Sequence, residues 1–123
     1  LKPGEFFLLG VDLQKEIAII EAAYNDAQGV TAAFNLNLLS HLNWRFQGDF
    51  DLTQFEHWAF YNRVANQIEM HLRSLNQQTV TLANLEFQVD LAAGETIHTE
   101  ISRKFHLPTL MADLETHALQ PLQ

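Results

Sequence analysis

The six histidines are the side chains of this sequence best suited to chemistry, yet their spacing favours no metal site. They stand at His41, His57, His71, His98, His106 and His117. Glu56 beside His57, and Glu69 two residues before His71, are the nearest approaches to a pair of metal ligands. Neither forms the H-E-x-x-H pattern of zinc hydrolases. We therefore expect no bound metal and interpret the histidines as surface or half-buried side chains.

Cofactor loops and nucleophilic centres are also missing from the sequence. The five glycines stand far apart, at Gly4, Gly10, Gly29, Gly48 and Gly94, so they form neither a G-x-G-x-x-G fingerprint nor a P-loop. Ser40 lies next to His41 without the glycine-flanked turn that exposes a nucleophilic serine. The absence of cysteine removes disulfides, thiolate ligands and cysteine nucleophiles.

The charge balance excludes two classes of partner. Seven Lys and Arg residues stand against fifteen Asp and Glu residues, which gives the 123-residue chain a net charge of −8. Nucleic acids and anionic membrane surfaces attract clustered cations, so neither is an expected partner. No apolar run approaches the roughly 20 residues of a membrane span, and no signal peptide is visible. We expect a cytoplasmic protein; because the sequence does not begin with Met, it could be a segment of a longer one.

The hydrophobic pattern of the first half predicts a strand followed by two helices. Glu5–Asp12 is a short apolar run with polar ends, which is typical of a buried strand in a parallel sheet. Apolar residues at helical spacing then predict amphipathic helices over Gln14–Tyr24 and about Thr31–Phe46.

The second half predicts an antiparallel meander and a last helix. Alternating apolar and polar residues place strands at about 68–73, 79–82, 85–91 and 97–104. A helical turn is expected over Asp51–Phe55, before the strands. Pro108 suits the first turn of a helix that continues to about Ala118. The expected fold class is therefore α+β, with two or three helices.

Four blocks of sequence carry a resemblance to a known family. They are Asn25–Asn37, Asp49–Leu52 with Phe55–His57, Ile68–Met70, and Ala92–Glu100. In this order and spacing they resemble the histidine-specific, S-adenosylmethionine-dependent methyltransferases, a family that includes enzymes of ergothioneine biosynthesis. The resemblance extends over about Leu1 to Ala118.

The resemblance implies the substrate-binding insert domain of a Rossmann-like class I methyltransferase. Residues 1–13 would form a Rossmann-type strand, 14–105 the insert and 106–123 a Rossmann-type helix, all within one single-domain fragment. S-adenosylmethionine would be the cofactor of the full-length protein and would be bound upstream. The chain alone is therefore expected to bind no cofactor and to be inactive.

The resemblance also implies four residues that bind a histidine substrate. Tyr24 would hold the α-carboxylate end, and Met70 would shape the pocket around the ring. Glu100 and Ser102 would hydrogen-bond the two imidazole nitrogens. A neutral imidazole offers one donor and one acceptor, which suits a carboxylate beside a hydroxyl on one strand face. Judged without the family, a solvated strand face, a packed tyrosine and a core methionine are the favoured interpretations.

Two functional hypotheses remain open at this point. The chain is either part of a methyltransferase acting on histidine or a related small amine, or a non-catalytic binding module derived from that family. An apolar Glu5–Asp12 strand without neighbours would also present two unpaired edges, so we expect the fragment to form a homodimer.

Overall fold

The structure, a computed structural model, describes residue 2 and residues 4–122. Its helices and strands confirm the predicted α+β class. The predicted boundaries at residues 1 and 123 lie outside the described residues. The helices are α1 (Ile17–Tyr24), α2 (Val30–Phe46) and α3 (Leu107–Thr116). The strands are β1 (Phe55–Asn62), β2 (Gln67–Ser74), β3 (Gln78–Leu82), β4 (Phe87–Leu91) and β5 (Thr96–Arg103). Short 3-10 helices occupy Leu52–Gln54, where a helical turn was predicted, and Ala83–Leu85. None of the described helices is long and apolar enough to cross a membrane.

Helix α2 begins after a glycine in the left-handed conformation, and an aspartate upstream accepts hydrogen bonds from its first backbone N–H groups. Gly29 has φ of 70°, a conformation that glycine adopts without steric cost. The Asp26 carboxylate accepts hydrogen bonds from the backbone N–H groups of Val30 and Thr31 at 2.9 and 2.8 Å. These bonds, those from Thr31 first, lower the pKa of Asp26 to about 2. The start of the long helix is thereby fixed.

The strands form two sheets rather than the single meander that was predicted. The larger sheet has the order β1-β2-β5, and β3 and β4 form a separate hairpin. All pairings between the named strands are antiparallel. The prediction of one meander was wrong because β5 pairs with β2 and not with β4. In that pairing Ile97 lies opposite the buried Leu72.

A bulge in β5 breaks the simple alternation that the sequence indicated. Met70 pairs with Glu100 while the next residue of β2, His71, pairs with His98, so Thr99 is the extra residue. The Thr99 hydroxyl donates to the backbone oxygen of Met70 at 2.9 Å. Because of this extra residue, Glu100 and His98 project from opposite faces although they stand two positions apart.

The core lies between the helices and one face of the sheets, in two clusters. The larger joins α2 to both sheets through Leu39, Phe50, Phe55, Leu72, Val80, Leu82 and Leu91. The smaller packs α1 on the three-stranded sheet through Ile20, Ala59, Ile68 and Met70, with Tyr24 and Tyr61 at its margin. We call the sheet face that carries Ile68, Met70 and Leu72 the inner face.

The predicted strand over Glu5–Asp12 has no strand partner among the described residues, and because its predicted neighbours lie outside this chain, it stays a prediction. Its pairing begins only at its end, where Leu13 makes a parallel bridge to Phe105. The side chains of Phe6, Phe7 and Leu8 are 81%, 65% and 95% exposed. The last predicted helix is confirmed over Leu107–Thr116, a little shorter than expected.

Candidate functional site

A groove of about 270 Å³ lies between helix α2 and the inner face of the sheet. Its walls come from α2, β2 and β5, through Phe34, Asn35, Asn37, Leu38, His41, Met70, Thr99 and Glu100. Two of the four predicted site residues, Met70 and Glu100, therefore share one cavity. Most of its wall is apolar, with a carboxylate at one side, so it suits a small ligand that has both an apolar part and a polar group.

Strand pairing fixes the relation between Met70 and Glu100. The two are opposite each other in the β2–β5 ladder, and Ser102 lies opposite Ile68, two residues farther along the same face. Met70 is buried while Glu100 is exposed at the groove. The predicted placement of Glu100 and Ser102 on one strand face is thus confirmed, and the β5 bulge aims Glu100 inward.

The other two predicted residues, Tyr24 and Ser102, bond to each other beside the groove. The Tyr24 hydroxyl donates to Ser102 Oγ at 2.7 Å. Lys104 Nζ donates to Ser102 Oγ at 2.6 Å and to Tyr24 Oη at 3.0 Å. A fourth residue, Asp12, accepts from the same ammonium at 3.0 Å through Oδ2. We call Asp12, Tyr24, Ser102 and Lys104 the lysine network.

The lysine network keeps a charge inside the protein. The Lys104 side chain has no exposed area, and burial opposes its charged form, but the Tyr24 hydroxyl and the Asp12 carboxylate outweigh burial and raise its pKa. Hydrogen bonds from Lys15 and then Lys104 lower the pKa of Asp12 to about 2. An ammonium group has three N–H donors, and each of them has an oxygen partner here, so the buried charge is compensated. The network is therefore ionic at neutral pH.

A second polar contact chain holds α1 and α2 in place around the site. The buried Asn35 amide donates to the backbone oxygen of His71 and contacts His57 Nδ1, both at 3.0 Å. His57 Nε2 contacts the backbone oxygen of Tyr24 at 2.8 Å. Because a carbonyl oxygen only accepts, Nε2 carries the proton and Nδ1 accepts from the amide. The end of α1 is thus tied to the wall of the groove.

Sequence reasoning missed Lys104, Asp12, Asn35 and His57 as parts of this region. Lys104 had a usable signal, since it continues the Glu100, Ser102 alternation and so belongs to the same face. Asp12 gave none, because its partner stands 92 positions later in the chain. Asn35 and His57 form contacts that depend on the packing of α2 across β1, which no local pattern encodes.

A separate cluster on the opposite, outer face of the sheet contains Glu69, His71 and His98. Their ligand atoms lie within 4.8 Å of one another. His71 Nε2 is buried, has no hydrogen-bond partner among the described residues, and lies 3.5 Å from Glu69 Oε2. The two imidazoles, however, are stacked at 4.5 Å with 7° between their planes. In-plane nitrogen lone pairs of parallel rings do not converge on one ion. As arranged, this cluster is a ring stack rather than a metal centre.

The described residues do not fit a class I cofactor site. In residues 2 and 4–122 the named strands pair only in antiparallel fashion, and no glycine lines the groove. A class I dinucleotide-type site needs a glycine-containing turn from a parallel strand into a helix. The groove is therefore a candidate site for a small substrate and not for the cofactor.

Comparison with known proteins gives consistent matches over the whole chain. A family model described as "Histidine-specific methyltransferase, SAM-dependent" matches residues 1–123. A Mycolicibacterium smegmatis protein named histidine N-alpha-methyltransferase is 46% identical over 120 residues, covering 98% of this chain and 37% of the relative. A Mycobacterium tuberculosis protein of the same name is 40% identical over 123 residues, covering 100% of the chain and 38% of the relative. The chain thus spans less than two-fifths of each relative's length.

Proposed function

This chain belongs to the histidine-specific, SAM-dependent methyltransferase family, and we propose that it is the substrate-binding part of such an enzyme. The proposed substrate is histidine or a related small amine, methylated on its α-amine. In this proposal residues 14–105 form the substrate-binding insert, and the flanking segments belong to a Rossmann-type half. S-adenosylmethionine would be held by that half, outside this chain. Placement in ergothioneine biosynthesis and in the cytoplasm stays part of the same proposal.

The observation that carries the proposal is the groove in which Met70 faces Glu100. The buried Met70 thioether offers a flat apolar surface to one side of a ring. The Glu100 carboxylate can accept the ring N–H, and Ser102 stands two residues along the same strand face to meet the second nitrogen. Residues two apart on a strand are separated by about 6.6–6.8 Å, which leaves space for one imidazole between the two side chains.

Tyr24 supports the proposal less directly. Its hydroxyl is bonded to Ser102 and Lys104, so the residue proposed for the α-carboxylate end lies in contact with the residue proposed for the ring. Tyr24 and Ser102 can bind the same amino acid only if its carboxylate lies at the lysine network and its ring lies in the groove. We propose that the Tyr24 O–H turns from Ser102 to donate to the substrate carboxylate, while Lys104 continues to donate to the Tyr24 oxygen.

Methyl transfer to an amine asks mainly for positioning. The nucleophile is the neutral amine, and the protein must hold its lone pair in line with the methyl group. The part played by this chain is to fix the imidazole and carboxylate so that the amine has one orientation. We expect the chain alone to transfer no methyl group, because in this proposal the cofactor is held by the half of the enzyme outside this chain.

The test is a methylation assay with the natural full-length protein. We expect labelled methyl transfer from S-adenosylmethionine to histidine in preference to other amino acids, and none with the 123-residue chain alone. A protein that binds histidine by calorimetry without methylating it would favour the non-catalytic binding module. Failure to bind or methylate any small amine would refute both forms of the proposal.

We also propose that the isolated chain forms a homodimer. Glu5–Asp12 has no strand partner among the described residues, so the edges of the predicted strand are unpaired in this chain. Further support is the exposed apolar run Phe6–Leu8. Three adjacent exposed apolar side chains form a larger apolar surface than the single, scattered apolar residues that are normal on a monomer. Light scattering at tens of micromolar should show a mass of about 28 kDa, twice the 14.1 kDa chain. A Phe6→Ser, Leu8→Ser variant should be monomeric, and a monomeric parent chain would contradict the proposal.

A further inference from the structure

We infer that Lys104 is a positioning residue that makes the proposed site prefer ligands with a carboxylate. Its buried ammonium group donates to the Tyr24 oxygen and so places a positive charge directly behind the hydroxyl that meets the ligand. The inference rests on the proposed function, in which the Tyr24 O–H donates to the α-carboxylate of histidine. Lys104 itself does not contact the substrate in this arrangement.

The direction of the hydrogen bond between Lys104 and Tyr24 is fixed by chemistry. An ammonium group only donates, and Lys104 Nζ lies 3.0 Å from the Tyr24 oxygen. The Tyr24 oxygen is therefore the acceptor in this bond, whichever of the Tyr24 and Ser102 hydroxyls donates to the other. With that oxygen already accepting from Lys104, the single O–H of Tyr24 is the group that can meet an anion.

The charge of Lys104 reaches a ligand only through its hydroxyl partners. The Lys104 side chain has no exposed area, whereas Tyr24 and Ser102 are half-buried. The other two ammonium donors bond to Ser102 Oγ at 2.6 Å and to Asp12 Oδ2 at 3.0 Å. Giving up one of these partners in a buried place is costly. A substrate carboxylate therefore bonds to the Tyr24 O–H and not to the ammonium group.

Two further contacts hold Tyr24 and leave its O–H free to turn. Lys104 Nζ lies 4.8 Å from the centre of the Tyr24 ring, which is a cation–π contact. At the backbone, His57 Nε2 donates to the Tyr24 carbonyl oxygen at 2.8 Å. The hydroxyl can thus rotate from Ser102 to a carboxylate without movement of the ring or of the end of α1.

The charges beside Tyr24 favour an anion. Two ammonium groups, those of Lys15 and Lys104, share the single carboxylate of Asp12 at 3.0 Å each. Hydrogen bonds in a chain strengthen one another, so donation from Lys104 makes the Tyr24 O–H a stronger donor. A carboxylate gains more from this donor than a neutral group does, because hydrogen bonds with an ionised partner are about twice as strong.

The experiment compares histidine with histidinol, in which an uncharged CH2OH group replaces the carboxylate. Calorimetric titration of each into the natural full-length protein at pH 7.5 gives the ratio of the two Kd values. The wild-type protein should bind histidine about tenfold more tightly than histidinol. In Lys104→Met this ratio should fall to about threefold or less. A purely structural role for Lys104 would weaken both ligands alike and leave the ratio at its wild-type value.

Lys15→Met is the matched control for Lys104→Met. Lys15 Nζ also pairs with Asp12, at 3.0 Å, but it bonds to neither hydroxyl of the lysine network, and its side chain is 55% exposed. Because solvent screens an exposed charge, the ratio should stay within twofold of the wild-type value. A ratio that is unchanged in Lys104→Met, or that falls equally in Lys15→Met, would overturn the inference.

Lys104→Gln covers the case in which Lys104→Met does not fold, and a thermal melt of each variant identifies that case. Glutamine keeps N–H donors without the charge, so the same fall to about threefold or less is expected. The wild-type ratio is a test that needs no variant. Equal Kd values for histidine and histidinol would overturn this inference and leave the proposed function standing. A wild-type protein that binds neither ligand would instead overturn the proposed function.

Discussion

The two faces of the three-stranded sheet use the same strands for different purposes. On the inner face, Ser102 and Lys104 bond to Tyr24, which lies 78 and 80 positions away in sequence. On the outer face, His71 stacks with His98 at 4.5 Å and with Phe60 at 5.4 Å, all from the sheet itself. The polar groups of the inner face come from elements far apart in sequence, which makes them the better candidates for function. The stacked rings of the outer face come from neighbouring strands and are better explained by strand packing.

The largest effect should come from Glu100→Ala on the inner face. A hydrogen bond to a charged acceptor contributes about 1.5–3 kcal/mol, so kcat/KM for histidine should fall roughly tenfold to more than a hundredfold. Steady-state methylation kinetics with the full-length protein would measure this.

Glu56→Ala provides the outer-face control for Glu100→Ala. Glu56 pairs with Arg73 at 2.7 Å, but both side chains are about two-fifths exposed, and such pairs contribute about 0–1 kcal/mol to stability. We expect histidine kinetics within twofold of the wild-type protein. Equal losses in the two variants would remove the distinction between the faces.

Ser102→Ala should have a smaller effect than Glu100→Ala. A neutral hydrogen bond contributes about 1 kcal/mol, so histidine affinity should fall roughly fivefold. The variant also leaves Tyr24 and Lys104 without one partner, and a lower melting temperature should accompany the loss. Calorimetric titration and a thermal melt measure the two effects separately, and unchanged affinity would show that Ser102 does not meet the ring.

Much of the secondary structure followed from the sequence, but the pairing of elements did not. The periodicity of apolar residues identified α2 and β2, and the turn before β1 was also found. The Glu5–Asp12 strand stays a prediction, because an apolar run shows only that a segment is suited to burial and not what would cover it. The single meander was wrong because alternation is the same for any partner strand, and the choice of β2 for β5 depends on Ile97 meeting Leu72.

The site residues show the same division. Glu100 and Ser102 were placed on one face by alternation, and the structure agrees although a bulge separates Glu100 from His98. Their roles came from family resemblance and not from the alternation. Asp12 became part of the region only through its salt bridge to Lys104, which stands 92 positions later in the chain. Such contacts are set by tertiary packing and leave no local signal.

Acid should weaken the inner-face network by a modest amount. The folded-state pKa of Asp12 is about 2, below its ordinary value of 3.8, because Lys15 and Lys104 favour the carboxylate. A lowered carboxyl pKa stabilises the fold above the ordinary value, and this stability is lost as pH falls from about 4 toward 2. Asp12 is partly exposed, so salt should screen the effect. Urea unfolding at several pH values should show a shallower loss in Asp12→Asn, and an identical loss would contradict the expectation.

The smallest effect should come from the outer face, through His98→Ala. The His98 ring stacks on His71 and its Nε2 lies 3.2 Å from the Glu100 carbonyl oxygen, so the variant removes one exposed ring and one weak backbone contact. Histidine affinity should stay within twofold, because the Glu100 side chain projects from the other face. An ion that binds only the native state raises the melting temperature. Because the stacked rings of His71 and His98 do not form a metal site, zinc should leave the melting temperature of the wild-type protein unchanged. A zinc-dependent rise that His98→Ala abolishes would show that the ring rotates to complete a site with Glu69 and His71, and the outer face would then have chemistry of its own.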